Sequence, residues 1–104
     1  MLIEFITTTR FLKTSDGGRK TPARFPYGPT LFVYRNEICF ARLVGEDVTY
    51  VPPGGTAKVR LQLPITAETI SLKDRINIGD SFLIQDGSQV IANGTIDSIL
   101  PDPS

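Results

Sequence analysis

The sequence contains no histidine, no tryptophan and a single cysteine, Cys39, among its 104 residues. A lone cysteine excludes a disulfide within these residues and is typical of proteins from a reducing cytosol. Because histidine is absent, Cys39 has no imidazole to activate it as a nucleophile, and the commonest metal ligand is missing as well. We interpret Cys39 as a packing residue in a strand, and we expect no enzymatic activity.

The sequence also lacks an excess of charge, since 11 lysine and arginine residues balance 11 aspartate and glutamate residues. A neutral chain has no overall field that would draw it to nucleic acid or anionic lipid, so such binding needs a local patch. No basic segment followed by an apolar run begins the chain, and no stretch approaches a membrane-spanning length. We therefore expect a cytoplasmic protein that does not bind membranes.

Clustered carboxylates are missing too. Asp74, Asp80 and Asp86 are scattered and lack the spacing of metal ligands, so we expect no metal and no cofactor. Glu46 and Asp47 are adjacent, but neighbouring side chains of a strand or turn point apart, which argues against acid–base catalysis. We interpret this pair as part of a solvated turn.

The clearest strand pattern lies at residues 57–63, where Ala57, Val59, Leu61 and Leu63 alternate with polar residues. Such alternation is typical of a strand with one buried face. Further strands are predicted from β-branched and aromatic content at residues 2–12, 31–43, 48–51, 81–85 and 89–100.

Residues 31–43 are predicted to form one long strand, interrupted only at Asn36. The large apolar residues at its even positions are Phe32, Tyr34, Ile38 and Phe40. Because alternate side chains of a strand share a face, we expect these four on the same side of the sheet.

Turn signals separate these strands, and helix is nearly absent. Residues 52–55 (P-P-G-G) must form a turn, and Asp86-Gly87 is the strongest hairpin signal. Residues 66–76 are compatible with one or two helical turns that place Ala67, Ile70 and Asp74 on one side. Short strands and many turns predict a single all-β domain over residues 1–100, a barrel or a sandwich, followed by a frayed tail at 101–104.

The segment at residues 15–29, here called the connector, invites comparison with a phosphate-binding loop. Such a loop requires G-x-x-x-x-G-K-[ST] running into a helix. In this chain Arg19 separates Gly18 from the lysine, and Pro22 follows Thr21 at once. We interpret Gly17 and Gly18 as turn residues with positive φ, and we expect no nucleotide binding.

Several short motifs recur in an order that resembles a known family. G-G-R-K-T-P at 17–22 and F-P-Y-G-P at 25–29 precede a strand, V-P-P-G-G at 51–55 precedes another, and A-N-G-T-I at 92–96 follows the hairpin. Over nearly the whole chain this order resembles the C-terminal β-barrel domain of translation elongation factor Tu. The resemblance implies a small closed antiparallel β-barrel with little helix.

The resemblance also implies a function without chemistry. In that family the barrel contacts the T-stem of aminoacyl-tRNA, the nucleotide-exchange factor and a GTPase domain whose motifs this chain lacks. Arg19 stands where the family has its arginine, Lys20 replaces a histidine and Gly87 matches the hairpin glycine. Leu63 and Gln85 stand where the family has cations, and phosphate neutralisation dominates affinity for nucleic acid.

Two functions stay open. The first is a non-catalytic, free-standing barrel that binds a protein partner, which the zero net charge and the lost cations favour. The second is a translation-associated accessory protein that binds tRNA or RNA weakly through the G-G-R-K-T-P loop. The candidate residues for either partner are Arg19, Lys20, Thr21, Arg24 and Gly87.

Compared with the family, the chain has extra residues at about 66–79. Connections longer than packing requires often have a function, but an inserted surface loop is the simpler interpretation. The sequence leaves the role of this segment and the oligomeric state open.

Overall fold

Eight strands run through residues 2–101, which are the residues that the computed structural model describes. Their bounds are β1 (Leu2–Phe11), β2 (Ala23–Arg24), β3 (Tyr27–Tyr34), β4 (Glu37–Gly45), β5 (Tyr50–Val51), β6 (Thr56–Pro64), β7 (Ser81–Asp86) and β8 (Gln89–Ile99). Six of them form a closed antiparallel barrel in the order β1, β6, β4, β3, β7, β8, and β2 pairs with β5 in a separate two-stranded sheet. The predicted all-β closed barrel is confirmed.

The barrel interior is filled by alternate residues of each strand. In β6, Val59, Leu61 and Leu63 are fully buried while Lys58 is exposed, so the predicted alternation is confirmed. β1 adds two buried threonines to this core. The Thr7 hydroxyl donates to the Val59 carbonyl at 2.9 Å and lies 2.7 Å from the Thr9 hydroxyl, so both polar groups are satisfied inside the barrel.

The predicted single strand at residues 31–43 is wrong, because the chain reverses at Arg35 and Asn36. Tyr34 pairs with Glu37 across this two-residue turn, and β3 and β4 form a hairpin. Arg35 has φ 55°, in the left-handed region that tight hairpin turns require. The local signal for this turn is weak, since it contains Asn36 but no glycine.

The hairpin also reverses the predicted facing of two large residues. A two-residue turn places even positions of β3 opposite odd positions of β4, as Phe32 opposite Cys39 shows. Phe32 is therefore buried, whereas Ile38 and Phe40 face outwards with 60% and 62% of their surface exposed. The expectation that all four even-numbered residues share a face is corrected accordingly.

The β7–β8 hairpin is confirmed, one residue later than its signal. Asp86 pairs with Gln89, so Gly87 and Ser88 form the turn, and Gly87 has φ 62°. Residues 52–55 also form a turn as predicted, since the Gly55 N–H donates to the Pro52 carbonyl at 2.9 Å.

A helix, α1 (Ala67–Arg75), covers the end of the barrel where β6 ends and β7 begins. Its buried residue Leu72 joins the core together with Ile76, so the extra segment is part of the fold and not a simple surface loop. Ala67, Ile70 and Asp74, which were predicted to share one side of the helix, are all exposed, and the buried residues are Thr69 and Leu72. None of the helices within residues 2–101 is long and apolar enough to cross a membrane.

The connector and the β2–β5 sheet cover the opposite end. Ala23 and Val51 are buried partners across this sheet, and Phe25 packs edge-on against Phe11 with ring centroids 6.2 Å apart. The strand predicted at residues 48–51 is thus present but limited to its last two residues. Of the predicted tail, Pro101 is exposed, and residues 102–104 lie outside the described residues.

Candidate functional site

The connector reaches its position through two glycines with different roles. Gly17 ends a short 3₁₀ turn with φ 91°, as a left-handed turn residue does. Gly18 has no positive φ; instead, a Cβ there would lie 2.2 Å from the Leu12 carbonyl oxygen. The expectation of positive φ at Gly18 is therefore wrong, and the close approach of two backbones is the reason for this glycine.

The β7–β8 hairpin holds the connector from the other side. The Gln89 side-chain amide donates to the Gly17 carbonyl and, at 3.3 Å, to the Gly18 carbonyl. The Thr14 hydroxyl donates to the Arg19 carbonyl at 2.6 Å, so the backbone on both sides of the G-G-R motif is anchored.

Arg19 is bound within the chain. Its guanidinium donates to the Tyr27 hydroxyl at 2.5 Å and to the Thr21 hydroxyl at 3.1 Å, and it lies 4.9 Å from the centroid of the Tyr27 ring. The Tyr27 hydroxyl in turn donates to Asp86 at 2.6 Å, and that carboxylate is 3.9 Å from Arg19. Burial and the hydrogen bond to Asp86 raise the pKa of Tyr27, so the phenol stays protonated at neutral pH.

Three of the five candidate residues meet at one cleft of about 450 Å³, where Arg19, Thr21 and Arg24 surround Tyr27. Arg24 lies 5.8 Å from the centroid of the Tyr50 ring and has no ion-pair partner within the described chain. The cleft therefore offers one unpaired cation, Arg24, beside an internally satisfied one.

The other two candidates lie outside this cleft. Lys20 is exposed and forms no ion pair with any residue from 2 to 101. Gly87 occupies the β7–β8 turn next to Asp86, on the hairpin that holds the connector. Leu63, which stands where the resembling family has a cation, is fully buried, so this position contributes nothing to a surface site.

A second surface was not predicted from the sequence. Outward-facing apolar residues of three adjacent strands form a continuous group, here called the apolar face, made up of Leu31, Val33, Ile38, Phe40 and Leu83. The register places Val33 beside both Ile38 and Leu83, and Leu31 beside Phe40. Recognition of the turn at residues 35–36 would have revealed this face, because that turn reverses the facing of β4.

The thiol and the carboxylates that were considered for catalysis or metal binding pack against the core, pair with cations or lie on the surface. Cys39 is half-buried against the core, and burial together with the charge of Glu37 raises the pKa of its thiol to about 11. Glu46 is not a simply solvated turn residue, because it accepts a hydrogen bond from Arg60 at 3.0 Å; Asp47 is exposed. Within residues 2–101 no three histidine, cysteine or carboxylate side chains are grouped to hold a metal ion.

The fold and these two surfaces define a small closed β-barrel domain with a cationic connector and an apolar face. No protein-family model matches the chain. The six-stranded barrel agrees with the resemblance to elongation factor Tu, but it does not single out that family.

Proposed function

We propose that this chain is a non-catalytic binding module, related to the C-terminal barrel of elongation factor Tu, whose ligand is a protein. The observation that carries the proposal is the apolar face, where Ile38 and Phe40 expose 60% and 62% of their surface. Scattered exposed apolar residues are ordinary, but a contiguous group marks an interaction site. Burial of such a face is favourable by about 25 cal/mol per Å², which favours an apolar partner surface.

Two further observations favour a protein over a nucleic acid. The chain has no net charge, and the arginine of its G-G-R-K-T-P loop already has hydrogen-bond partners in Tyr27 and Thr21. Removing Arg19 from those partners to reach a phosphate would cost the hydrogen bonds that it now makes.

The non-catalytic part of the proposal is supported by Cys39. A thiol with a pKa of about 11 is protonated at neutral pH, and the thiolate is the nucleophilic form. A cytoplasmic location, in which a lone thiol stays reduced, belongs to the same proposal.

The test is affinity capture from an extract of the cells that make the protein, with and without nuclease. We expect the wild type to retain a defined protein in both cases, and an Ile38→Ser, Phe40→Ser double variant to lose it. An Arg24→Ala variant is the matched control from the opposite end of the barrel. Capture that disappears with nuclease, or that the double variant leaves unchanged, contradicts the proposal.

A second candidate function is weak RNA binding at the connector. The observation in its favour is that Arg24 is unpaired and lies beside the rings of Tyr27 and Tyr50, since base stacking on aromatic rings and phosphate contact are the usual means of binding single strands. The nuclease arm of the capture experiment separates this candidate from the first.

A further inference from the structure

A cleft of about 530 Å³ continues the apolar face towards β6 and β1. Phe40, Ala41 and Arg42 of β4 form its floor, between β3 on one side and β6 on the other. On the β3 side, Gly28 and Pro29 belong to a bulge where the pairing with β4 shifts register. Bulges often occur beside binding sites because they bend the strand and redirect its side chains.

The two ends of the cleft differ in chemistry. At one end Leu2 pairs with Pro64 across β1 and β6, next to the exposed ring of Phe40. At the other end Arg42 pairs with Gln62 across β4 and β6. A ligand that fills the cleft therefore contacts an apolar surface at one end and a guanidinium at the other.

Arg42 is exposed and has no ion-pair partner among residues 2–101. The neighbouring cations of this surface are paired: Arg60 contacts Glu46 and Glu4, and Lys58 contacts Asp97 at 2.6 Å. Of the cations on β4 and β6, Arg42 is thus the one without an ion pair to any of residues 2–101.

Glu4 is the carboxylate in the same cross-strand row as Arg42. Glu4 and Arg42 both pair with Gln62, from opposite sides, so they lie two strands apart. No ion pair or hydrogen bond joins the side chains of Glu4 and Arg42. Glu4 moreover accepts hydrogen bonds from Gln62 at 3.1 Å and from Arg60 at 3.5 Å. The positive charge of Arg42 is therefore available to a ligand.

We propose that this cleft binds a segment of a protein partner that presents a large apolar side chain next to a carboxylate. The apolar side chain packs against Phe40 and Pro64, and the carboxylate accepts hydrogen bonds from Arg42. An arginine guanidinium suits this role because it binds a carboxylate through two parallel hydrogen bonds. The inference rests on the proposed function, for which it names the surface and the chemistry of the partner.

Two other modes of occupation fit less well. A second copy of this chain offers no unpaired carboxylate on the described part of the face, since Glu37 is bound by Arg75 and Glu4 by Arg60. An added β-strand is excluded at β4, because β3 and β6 already occupy both of its edges. Recognition therefore occurs through side chains that lie across the sheet.

The test is selection of a peptide display library against the purified full chain, followed by fluorescence anisotropy with the enriched peptides. We expect enriched peptides to combine a large apolar residue with a nearby aspartate or glutamate. Phe40→Ser and Arg42→Gln are each expected to weaken their binding about tenfold or more, with Arg42→Lys intermediate. Arg24→Gln, at the other cleft, is the control and leaves the affinity unchanged. All four substitutions are on the surface, and unfolding curves verify that each variant is folded.

Three outcomes overturn the inference. Peptides without a carboxylate that bind Arg42→Gln as well as wild type reject the chemistry, while sensitivity to Phe40→Ser would still support a protein-binding module. A wild-type dimer that Phe40→Ser dissociates in sedimentation shows that a second copy fills the cleft. Failure to enrich any peptide, together with failure to capture any protein from the extract, rejects the inference and the proposed function together.

Discussion

Tyr34 is a buried tyrosine at the end of β3, and its hydroxyl donates to the Asp80 carboxylate at 2.5 Å. The same carboxylate accepts the backbone N–H of Asn77 at 2.9 Å. The hydrogen bond from Tyr34, and after it the one from Asn77, lowers the pKa of Asp80 from its usual 3.8. The same hydrogen bond to Asp80 raises the pKa of Tyr34. One carboxylate thus connects the barrel to the loop between α1 and β7.

Asp80 is expected to contribute to acid unfolding. Because its folded-state pKa is depressed, its contribution to stability is complete above the unfolded-state pKa of 3.8 and is lost as the pH falls through the lower folded value. We expect Tyr34→Phe to raise the pKa of Asp80 and to make stability less dependent on pH in that acidic window. NMR titration of the carboxyl carbon, with denaturant curves at several pH values, measures both effects. An unchanged Asp80 pKa in Tyr34→Phe contradicts the prediction.

The register of β6 predicts that substitutions at two neighbouring residues differ in their effect on stability. Leu61 is fully buried, so Leu61→Ala is expected to cost about 2–5 kcal/mol of unfolding free energy. Arg60 faces outwards, and its ion pairs with Glu46 and Glu4 are partly exposed, so Arg60→Ala is expected to cost under about 1 kcal/mol. Denaturant titration measures both variants, and equal losses mean that the register is wrong.

At the scale of elements, α1 depends on how it begins. The Thr66 hydroxyl accepts the Thr69 N–H at 3.1 Å, and the Thr69 hydroxyl accepts the Thr66 N–H at 2.8 Å. Thr69 is buried and also donates to the carbonyl of Pro64 at 2.6 Å, which joins the helix start to the end of β6. From this start the helix places Leu72 against the core.

Loss of the cap is expected to weaken α1 directly. Thr66→Ala removes the acceptor for the Thr69 N–H, and we expect a loss of about 0.5–2 kcal/mol of unfolding free energy. Amide exchange in the first helical turn is expected to rise together with this loss. Ser71→Ala, in the exposed middle of the helix, is the control with an effect below about 0.5 kcal/mol. If Thr66→Ala matches this control, the cap is not what stabilises α1.

Over the whole molecule, the charges balance in total, and many of them are also neutralised locally by ion pairs on the surface. Ion pairs are distributed over the described surface, and they include the pairs of Lys58 with Asp97, Arg60 with Glu46 and Arg75 with Glu37. Such a surface has no broad positive field with which to attract RNA. We therefore expect any affinity for RNA to be weak and to depend on individual unpaired cations such as Lys20 and Arg24 of the connector.

We predict that tRNA binds weakly and that its affinity depends only slightly on the salt concentration. With Arg19 engaged by Tyr27, Lys20 and Arg24 can make two phosphate contacts, which correspond to a salt slope of about −1.4 to −1.8. We expect a dissociation constant no tighter than about 10⁻⁴ to 10⁻⁶ M at physiological salt, and its loss in a Lys20→Ala, Arg24→Ala double variant. Fluorescence anisotropy with aminoacyl-tRNA and a duplex RNA, at two salt concentrations, measures this, with Arg42→Gln as the control. Nanomolar binding that prefers aminoacyl-tRNA contradicts this prediction and supports a function in translation.

The candidate site was predictable only in part. Glycines, prolines and cations marked the connector, and the structure does bring Arg19, Thr21 and Arg24 together. Arg19 is held by residues near it in sequence, Thr21 and Tyr27, whereas Tyr27 reaches Asp86 across 59 residues of sequence. The composition of the connector does not reveal these side-chain contacts, because they depend on how the connector folds back against β3 and the β7–β8 hairpin.

Local pattern alone determined that the chain is a mostly β protein, because side-chain alternation and turn residues act over a few neighbouring positions. β6 and the β7–β8 hairpin are examples. The tertiary structure decided the facing of Ile38 and Phe40 and the burial of Leu72, because these depend on a turn without glycine and on how a helix meets the barrel end. The β3–β4 hairpin supplies most of the apolar face, but Leu83 of β7 and the cleft residues of β1 and β6 come from strands far apart in sequence, so the complete surface forms only once the barrel has closed.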